Sequence, residues 1–241
     1  PDPTRRSRRQ STFGFGLAVA ILVAAFGAMA VQGPRALATI DLDLARQLAV
    51  RVSEAPGRLT TVSTALEMVE YYGRAGAADE GLDRFGRAVA KFDQPALVAA
   101  LVFELSARRA EGEDEGADLD PHLAVALQRW IELAPDDPQA LNALAWELVT
   151  RPDTSLRDPA RAEGLSRESL SRIGDLDEKA NKQLRAACLD TLGEILFQLG
   201  RFSEARDVQA EAVELATALE MDDLGELTSR LQKIEAADPA G

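Results

Sequence analysis

The chain has 241 residues, of which 46% are apolar and only 5% aromatic, and its net charge is −13. This acidity argues against a nucleic-acid-binding protein, which needs a basic surface to meet phosphates. A core built on Ala and Leu favours an all-α fold over a β-sandwich or barrel. With one His and one Cys, the chain lacks the side chains for a zinc site, a Cys-His dyad or a Ser-His-Asp triad. We therefore expect no enzyme and no cofactor.

The N-terminal part combines a basic tail with an apolar segment. Four Arg and one Asp give the first ten residues a charge of +3, which leaves −16 for the rest. The uncharged stretch at 13–31 would span roughly 28 Å as a helix, close to the thickness of a bilayer core. Because basic residues favour the cytoplasmic side, the pattern predicts a cytoplasmic tail at 1–11 and a transmembrane anchor at 12–32. The rest of the chain is then expected outside the cytoplasm, on a single-pass protein of the inner membrane.

Two features of the apolar segment leave alternatives open. Ala28-Met29-Ala30 has the form of a signal-peptidase site, so the segment could be a signal peptide cleaved after Ala30. Small residues also recur at four-residue spacing, which is typical of a face that packs against another membrane helix, although an Ala-rich segment can form such a stripe by chance. These residues are Gly16, Ala20, Ala24 and Ala28.

Residues 35–55 follow as a predicted linker or capping helix. Gly33-Pro34 precedes it, Pro56-Gly57 ends it, and apolar residues such as Leu44, Leu48 and Val52 recur at helical spacing. The first predicted hairpin spans 62–93, and the second begins at Pro95. Its second helix is predicted from Pro121, capped by Asp120, after an acidic loop at 111–120. This loop lacks the EF-hand spacing, so we expect a solvated connection and no calcium site.

The last two predicted hairpins have the clearest spacing. One follows Pro138 and is interrupted by an extended loop, and the other occupies Leu189–Ala216. In the latter, Leu189, Leu192 and Leu196 share one helix face, Gly200 is placed for a left-handed C-cap and Ser203 for an N-cap. A stripe of Leu and Ile at 222–237 predicts a C-terminal capping helix over the last hairpin.

The Leu189–Ala216 pattern resembles the tetratricopeptide repeat (TPR), whose period is 34 residues. The Leu192-Gly193 pair and the two alanines, Ala205 and Ala212, match the signature of that family, whereas its aromatic and Pro places hold other residues. The pattern continues in register over 62–217, and it resembles a subtype of the repeat that is common in bacterial proteins. It implies a right-handed superhelix of about four helical hairpins, closed by the capping helix and preceded by the single transmembrane helix.

The resemblance also implies a concave face, lined by the first helix of each hairpin, that binds a protein partner. The places that face this groove hold six residues of the chain: Glu70, Asn142, Trp146, Asp190, Glu194 and Gln198. Of these, Asn142 alone fits the Lys, Arg and Asn set that clamps a terminal carboxylate in one subset of the family. A neutral or basic segment is therefore the better expected match to an acidic groove.

Several single residues have simple structural interpretations. Trp130 and Cys188 are expected in the core, and His122 on the surface after Pro121. Trp146 is expected either to anchor a partner or to pack between hairpins. Together, these features predict a membrane-anchored, extracytoplasmic scaffold. Its expected partners are membrane lipid and the proteins of a larger membrane complex of respiratory or photosynthetic type. The alternative is a soluble periplasmic adaptor or chaperone released after Ala30.

Overall fold

The structure is a computed structural model that describes residues 36–58, 60–112 and 118–237, and within these residues it contains α-helices and no strand. The all-α prediction is confirmed for this part of the chain. The helices are α1 (36–54), α2 (Thr60–Arg74), α3 (Ala78–Val89), α4 (Pro95–Glu111), α5 (Leu119–Leu133), α6 (Pro138–Thr150), α7 (Pro159–Arg172), α8 (Lys179–Gln198), α9 (Phe202–Leu219) and α10 (Leu224–Ala237). A short 3-10 turn, Thr154–Leu156, lies between α6 and α7.

The chain divides into two compact units. The first contains α1, α2 and nearly all of α3. The second contains α4 to α10.

In the first unit, α1 agrees closely with the helix predicted at 35–55. It buries Ala45, Leu48, Ala49 and Val52. Helix α2 ends at Arg74 and is followed by Gly76, whose φ of +68° belongs to the left-handed region that glycine adopts readily. A Cβ atom on Gly81 would lie 2.7 Å from Tyr72 Cβ, so the close approach of α3 to α2 depends on a glycine here.

In the second unit, helices that follow one another along the chain pack together, and α8 also contacts α6 and α10. One core cluster joins α6, α7 and α8 through Ala145, Leu148, Ala162 and Ile195. Another joins α8, α9 and α10 through Leu192, Leu196, Ala205 and Ile234. The apolar stripes predicted for these helices are therefore the surfaces that build the core.

The α8–α9 hairpin tests the local predictions most directly. Gly200 has φ +73°, and the N–H of Arg201 donates to the carbonyl of Leu196 at 2.9 Å, so the predicted left-handed C-cap is confirmed. The N-cap prediction for Ser203 is wrong, because α9 begins at Phe202 and Ser203 lies inside its first turn. A Cβ atom on Gly193 would clash with Gln209 Oε1, so α8 and α9 approach closely at this glycine.

Other predictions need correction near α5. This helix begins at Leu119, so Asp120 lies in its first turn and accepts a hydrogen bond from Arg109 Nη1 at 3.0 Å. His122 is only 5% exposed, and the prediction of a surface position is wrong, because His122 faces inward with the Leu119 and Leu123 side chains. Trp130 and Cys188 are fully buried, as predicted.

The predicted capping helix at 222–237 corresponds to α10, which buries Leu227 and Ile234 against the last hairpin. Among the described helices, none has both the length and the apolar composition that crossing a membrane requires. The predicted tail at 1–11, the predicted anchor at 12–32 and its four small residues, Gly16, Ala20, Ala24 and Ala28, lie outside the described residues.

Candidate partner-binding groove

Helix α6 presents one polar-aromatic face at the centre of the second unit. The carboxylate of Asp137 caps the helix by accepting the N–H of Gln139 at 2.9 Å, and Pro138 occupies the first helical position. From there, Gln139, Asn142, Ala143 and Trp146 follow at the i, i+3, i+4, i+7 spacing of one helix face. The cap therefore fixes where this face begins.

This face lines a concave pocket of about 510 Å³ between α4, α6 and α8, which we call the α4–α6–α8 groove. Its volume falls within the range of pockets that bind ligands or anchor side chains. The lining also includes Leu127 of α5 and residues from the two flanking helices, namely Val102, Phe103 and Ser106 of α4 and Ala180, Gln183, Leu184 and Ala187 of α8. The groove thus lies on the first helices of three successive hairpins.

The lining is almost free of charge. Its one charged residue, Glu147, is 3% exposed and forms an ion pair with Arg109 at 2.9 Å, while Arg151 lies 3.4 Å away. Burial disfavours the charge of Arg109, but the carboxylates of Asp120 and Glu147 outweigh this effect and raise the pKa of Arg109. Glu147 therefore serves to tie α4 to α6, and its charge is already neutralised.

Two groups of the lining bear on ligand binding, an exposed aromatic ring and a buried acceptor that has no donor. Phe103 is 52% exposed, and its ring packs edge-on against Trp130 with the ring centroids 5.6 Å apart. The Oδ1 atom of Asn142 is buried and accepts no hydrogen bond from the described residues. Because an unsatisfied buried acceptor is costly, a ligand that donated an N–H or O–H to it would remove that cost.

At one side of the groove, Trp146 is held by the capping helix. The guanidinium carbon of Arg230 on α10 lies 5.1 Å from the centroid of the Trp146 ring, a cation–π contact. Arg230 also forms an ion pair with Asp190, whose Oδ1 accepts a hydrogen bond from Gln209 at 2.6 Å. Asp190 is 9% exposed, and burial raises its pKa. We call Arg230, Asp190 and Gln209 the α10 latch.

A neighbouring set of contacts holds Glu194 and Gln198. Gln198 Nε2 donates to the carbonyl of Val149 at 3.0 Å and to Glu194 Oε1 at 2.9 Å. Lys233 of α10 lies 3.6 Å from Glu194 and 4.4 Å from the centroid of the Phe197 ring. These side chains therefore join α8 to α6 and α10.

Of the six residues that the resemblance placed in one groove, five lie in the second unit, and two of these line the α4–α6–α8 groove. Asn142 and Trp146 line the α4–α6–α8 groove. Asp190, Glu194 and Gln198 make contacts within the protein, and Glu70 is half-buried on α2 in the first unit. Internal ion pairs of Asp190 and Glu194 and the hydrogen bonds of Gln198, which repeat register alone does not reveal, explain the difference for the α8 residues.

Sequence reasoning missed the groove residues from the first half of α8. The repeat was placed from Leu189 onward, whereas α8 begins at Lys179. A usable signal was present, because Ala180, Leu184 and Ala187 continue the helical spacing upstream of Leu189. The prediction of the second hairpin rests only on its apolar helix face, so it does not include Phe103.

The buried thiol of Cys188 lies apart from the groove surface. Its Sγ atom is 3.1 Å from Ser169 Oγ, and burial raises the pKa of the thiol to about 11. Such a thiol stays protonated and is a poor nucleophile at neutral pH. In the described residues, no group of three metal-ligand side chains lies close enough to hold a metal ion.

The chain has no significant match to a family model, to a curated protein or to a solved structure.

Proposed function

We propose that this protein is a protein–protein interaction scaffold that binds a partner in the α4–α6–α8 groove. The observation that carries this proposal is the groove itself, an apolar concavity of about 510 Å³ on the first helices of three hairpins. The exposed ring of Phe103 and the unsatisfied Oδ1 of Asn142 add an apolar and a polar contact for a partner. In this proposal the helical hairpins are TPR-like and stack as a right-handed superhelix.

The proposal places the scaffold at a membrane, as an accessory subunit or assembly factor of a larger complex of respiratory or photosynthetic type. Its support is the uncharged stretch at 13–31, which follows a tail of four arginines and precedes an acidic body. Residues 12–32 would be a transmembrane anchor, and the helical units would lie outside the cytoplasm.

Site-specific photo-crosslinking in native membranes tests the proposed function. A photoreactive amino acid at Phe103 is expected to capture a defined partner. The same group at Leu156, which is 58% exposed and does not line the groove, is the matched control. Equal capture from both positions, or capture from Leu156 alone, would refute binding at the groove.

The sequence Ala28-Met29-Ala30 supports a second candidate, a soluble periplasmic adaptor or chaperone. N-terminal sequencing of the protein from its native source separates the two candidates. A start at Val31 identifies the released form, and a start within the arginine tail identifies the anchored form.

A further inference from the structure

From the chemistry of its lining, we infer that the α4–α6–α8 groove takes one neutral, bulky apolar side chain from a peptide segment that carries basic residues beside it. This inference rests on the proposed function and names the kind of segment that the scaffold binds. Its basis is the absence of an available charge in the lining, the unsatisfied Asn142 and the acidic excess of the second unit.

The lining excludes a charged anchor of either sign. A carboxylate would need a cation, but no Lys or Arg is among the residues that line the groove. An ammonium or guanidinium would need an anion, but Glu147, the one carboxylate in the lining, is buried and already paired with Arg109 at 2.9 Å. Because burying an unpaired charge is expensive, the side chain that enters must be neutral.

The size and surface of the groove favour a bulky apolar group. Val102, Leu127, Leu184 and the half-exposed ring of Phe103 line it together with Trp146. An aliphatic or aromatic side chain would gain from burial against these groups, and the value of such burial scales with the apolar area removed from water. The acceptor Asn142 Oδ1 then requires an N–H or O–H from the same segment.

Charge complementarity indicates the residues beside the anchor. The second unit has 27 Asp and Glu against 16 Lys and Arg, a net charge of −11. Next to the groove, the exposed carboxylates of Asp175, Asp177 and Glu178 are balanced by Lys179, Lys182 and Arg185 of α8, so the acidic excess belongs to the second unit as a whole. A segment with Lys or Arg beside its apolar anchor meets this field favourably, and an acidic segment does not.

The test uses a random peptide library displayed on phage and selected against the 241-residue chain. Each round is repeated against Ala143→Leu, which narrows the groove, and against Ala124→Leu, a matched change on an exposed part of α5 outside the groove. We expect an enriched set that binds the Ala124→Leu variant normally and the Ala143→Leu variant about tenfold more weakly. Its members should share one Leu, Ile, Met, Phe or Trp and adjacent Lys or Arg.

Two results would overturn the inference. One is enrichment of Asp- or Glu-rich peptides, or of peptides that need a free terminal carboxylate. The other is a set that Ala143→Leu and Ala124→Leu retain equally. If either occurs while photo-crosslinking at Phe103 still captures a partner, the ligand chemistry fails and the scaffold function stands. If crosslinking at Phe103 also captures nothing, both fail.

Discussion

At the scale of single residues, Gly193 sets how closely α8 and α9 approach. Gln209 faces it, is fully buried and donates through Nε2 to Asp190 and to the carbonyl of Leu227. A methyl group at position 193 would clash with Gln209 Oε1, so this side chain would have to move and give up those bonds. Steric strain of this type costs about 2 kcal/mol.

We therefore predict that Gly193→Ala lowers the free energy of unfolding by about 2 kcal/mol in urea denaturation. The matched control is Gly164→Ala in α7, where an added methyl meets no atom within 4 Å. The free energy of unfolding of that variant should be about 0.5–1 kcal/mol higher, because Ala has a better helix propensity than Gly. If both substitutions stabilise the protein, α8 and α9 do not pack as closely as described.

Cys188 gives a second prediction at this scale. Because its thiol is buried and has a pKa of about 11, we expect almost no reaction with a thiol reagent at neutral pH in the folded protein. Unfolding in urea should expose this thiol, so that one thiol per chain is then labelled rapidly. Fast labelling under native conditions would show that the α7–α8 contact opens readily.

At the scale of elements, the contact of α1 with α3 is electrostatic. Both carboxylate oxygens of Glu80 accept hydrogen bonds from Arg46, at 3.0 and 2.8 Å, and Arg84 donates to Oε1 at 2.9 Å. The Arg46 bonds, followed by those of Arg84, lower the pKa of Glu80 from its usual 4.5 to about 2. A lowered carboxyl pKa stabilises the folded state above the unfolded pKa, and this stabilisation is lost as the pH falls toward the folded value.

We predict that an NMR titration finds the pKa of Glu80 well below 4.5 and that Arg46→Gln moves it back toward 4.5. Glu80→Gln should destabilise the protein at about pH 6 and do so less at about pH 3, because protonation of Glu80 in the unfolded chain has by then removed part of the stabilisation that the ionised contact gives the wild type. Glu67→Gln, on the exposed side of α2, is the control. An ordinary titration of Glu80 would contradict the α1–α3 contact.

The α10 latch gives the other prediction at this scale. Arg230 and Asp190 have side chains that are only 18% and 13% exposed, so loss of the arginine leaves a largely buried carboxylate with Gln209 as its remaining donor. We predict that Arg230→Gln lowers the free energy of unfolding by about 3 kcal/mol. Arg206→Gln, which removes an exposed pair with Asp207, should cost less than about 0.5 kcal/mol.

The cost of Arg230→Gln should depend on pH. Burial already raises the pKa of Asp190, and removal of Arg230 takes away an attraction that opposes this rise. Because the pKa of Asp190 is raised in the folded state, stability falls as the pH increases through that pKa. The variant should therefore lose more of its free energy of unfolding at pH 7 than near the ordinary Asp pKa of about 3.9. A cost that is equal at the two pH values would exclude an ionised Asp190 in the latch.

The elements show which parts of the fold could be predicted from sequence. Helix faces and the Gly200 cap follow from local spacing and backbone conformation, and they are predicted well. The start of α9 at Phe202 and the burial of His122 are not, since tertiary packing decides them. Asp190 has the same spacing as a groove residue, but its partner Arg230 is 40 residues away, and repeat register does not encode that pairing.

At the scale of the whole molecule, charge is unequally divided between groove and body. The second unit has a net charge of −11, whereas its groove exposes uncharged groups, and the one carboxylate of the lining, Glu147, is buried and paired with Arg109. In the proposed binding mode, the long-range field would attract a basic partner, and the groove would select an uncharged side chain at the point of contact. Affinity and selectivity are thus expected to come from different residues.

The central claim is that a partner binds in the α4–α6–α8 groove, and quantitative co-purification tests it most directly. Tagged wild type, Phe103→Ala and Leu156→Ala are expressed in the native source, and bound proteins are quantified by mass spectrometry. Both residues are exposed apolar side chains of the second unit, but only Phe103 lines the groove. We expect Phe103→Ala to reduce partner recovery about tenfold and Leu156→Ala to leave it unchanged. Equal recovery from folded samples of all three proteins would contradict the claim.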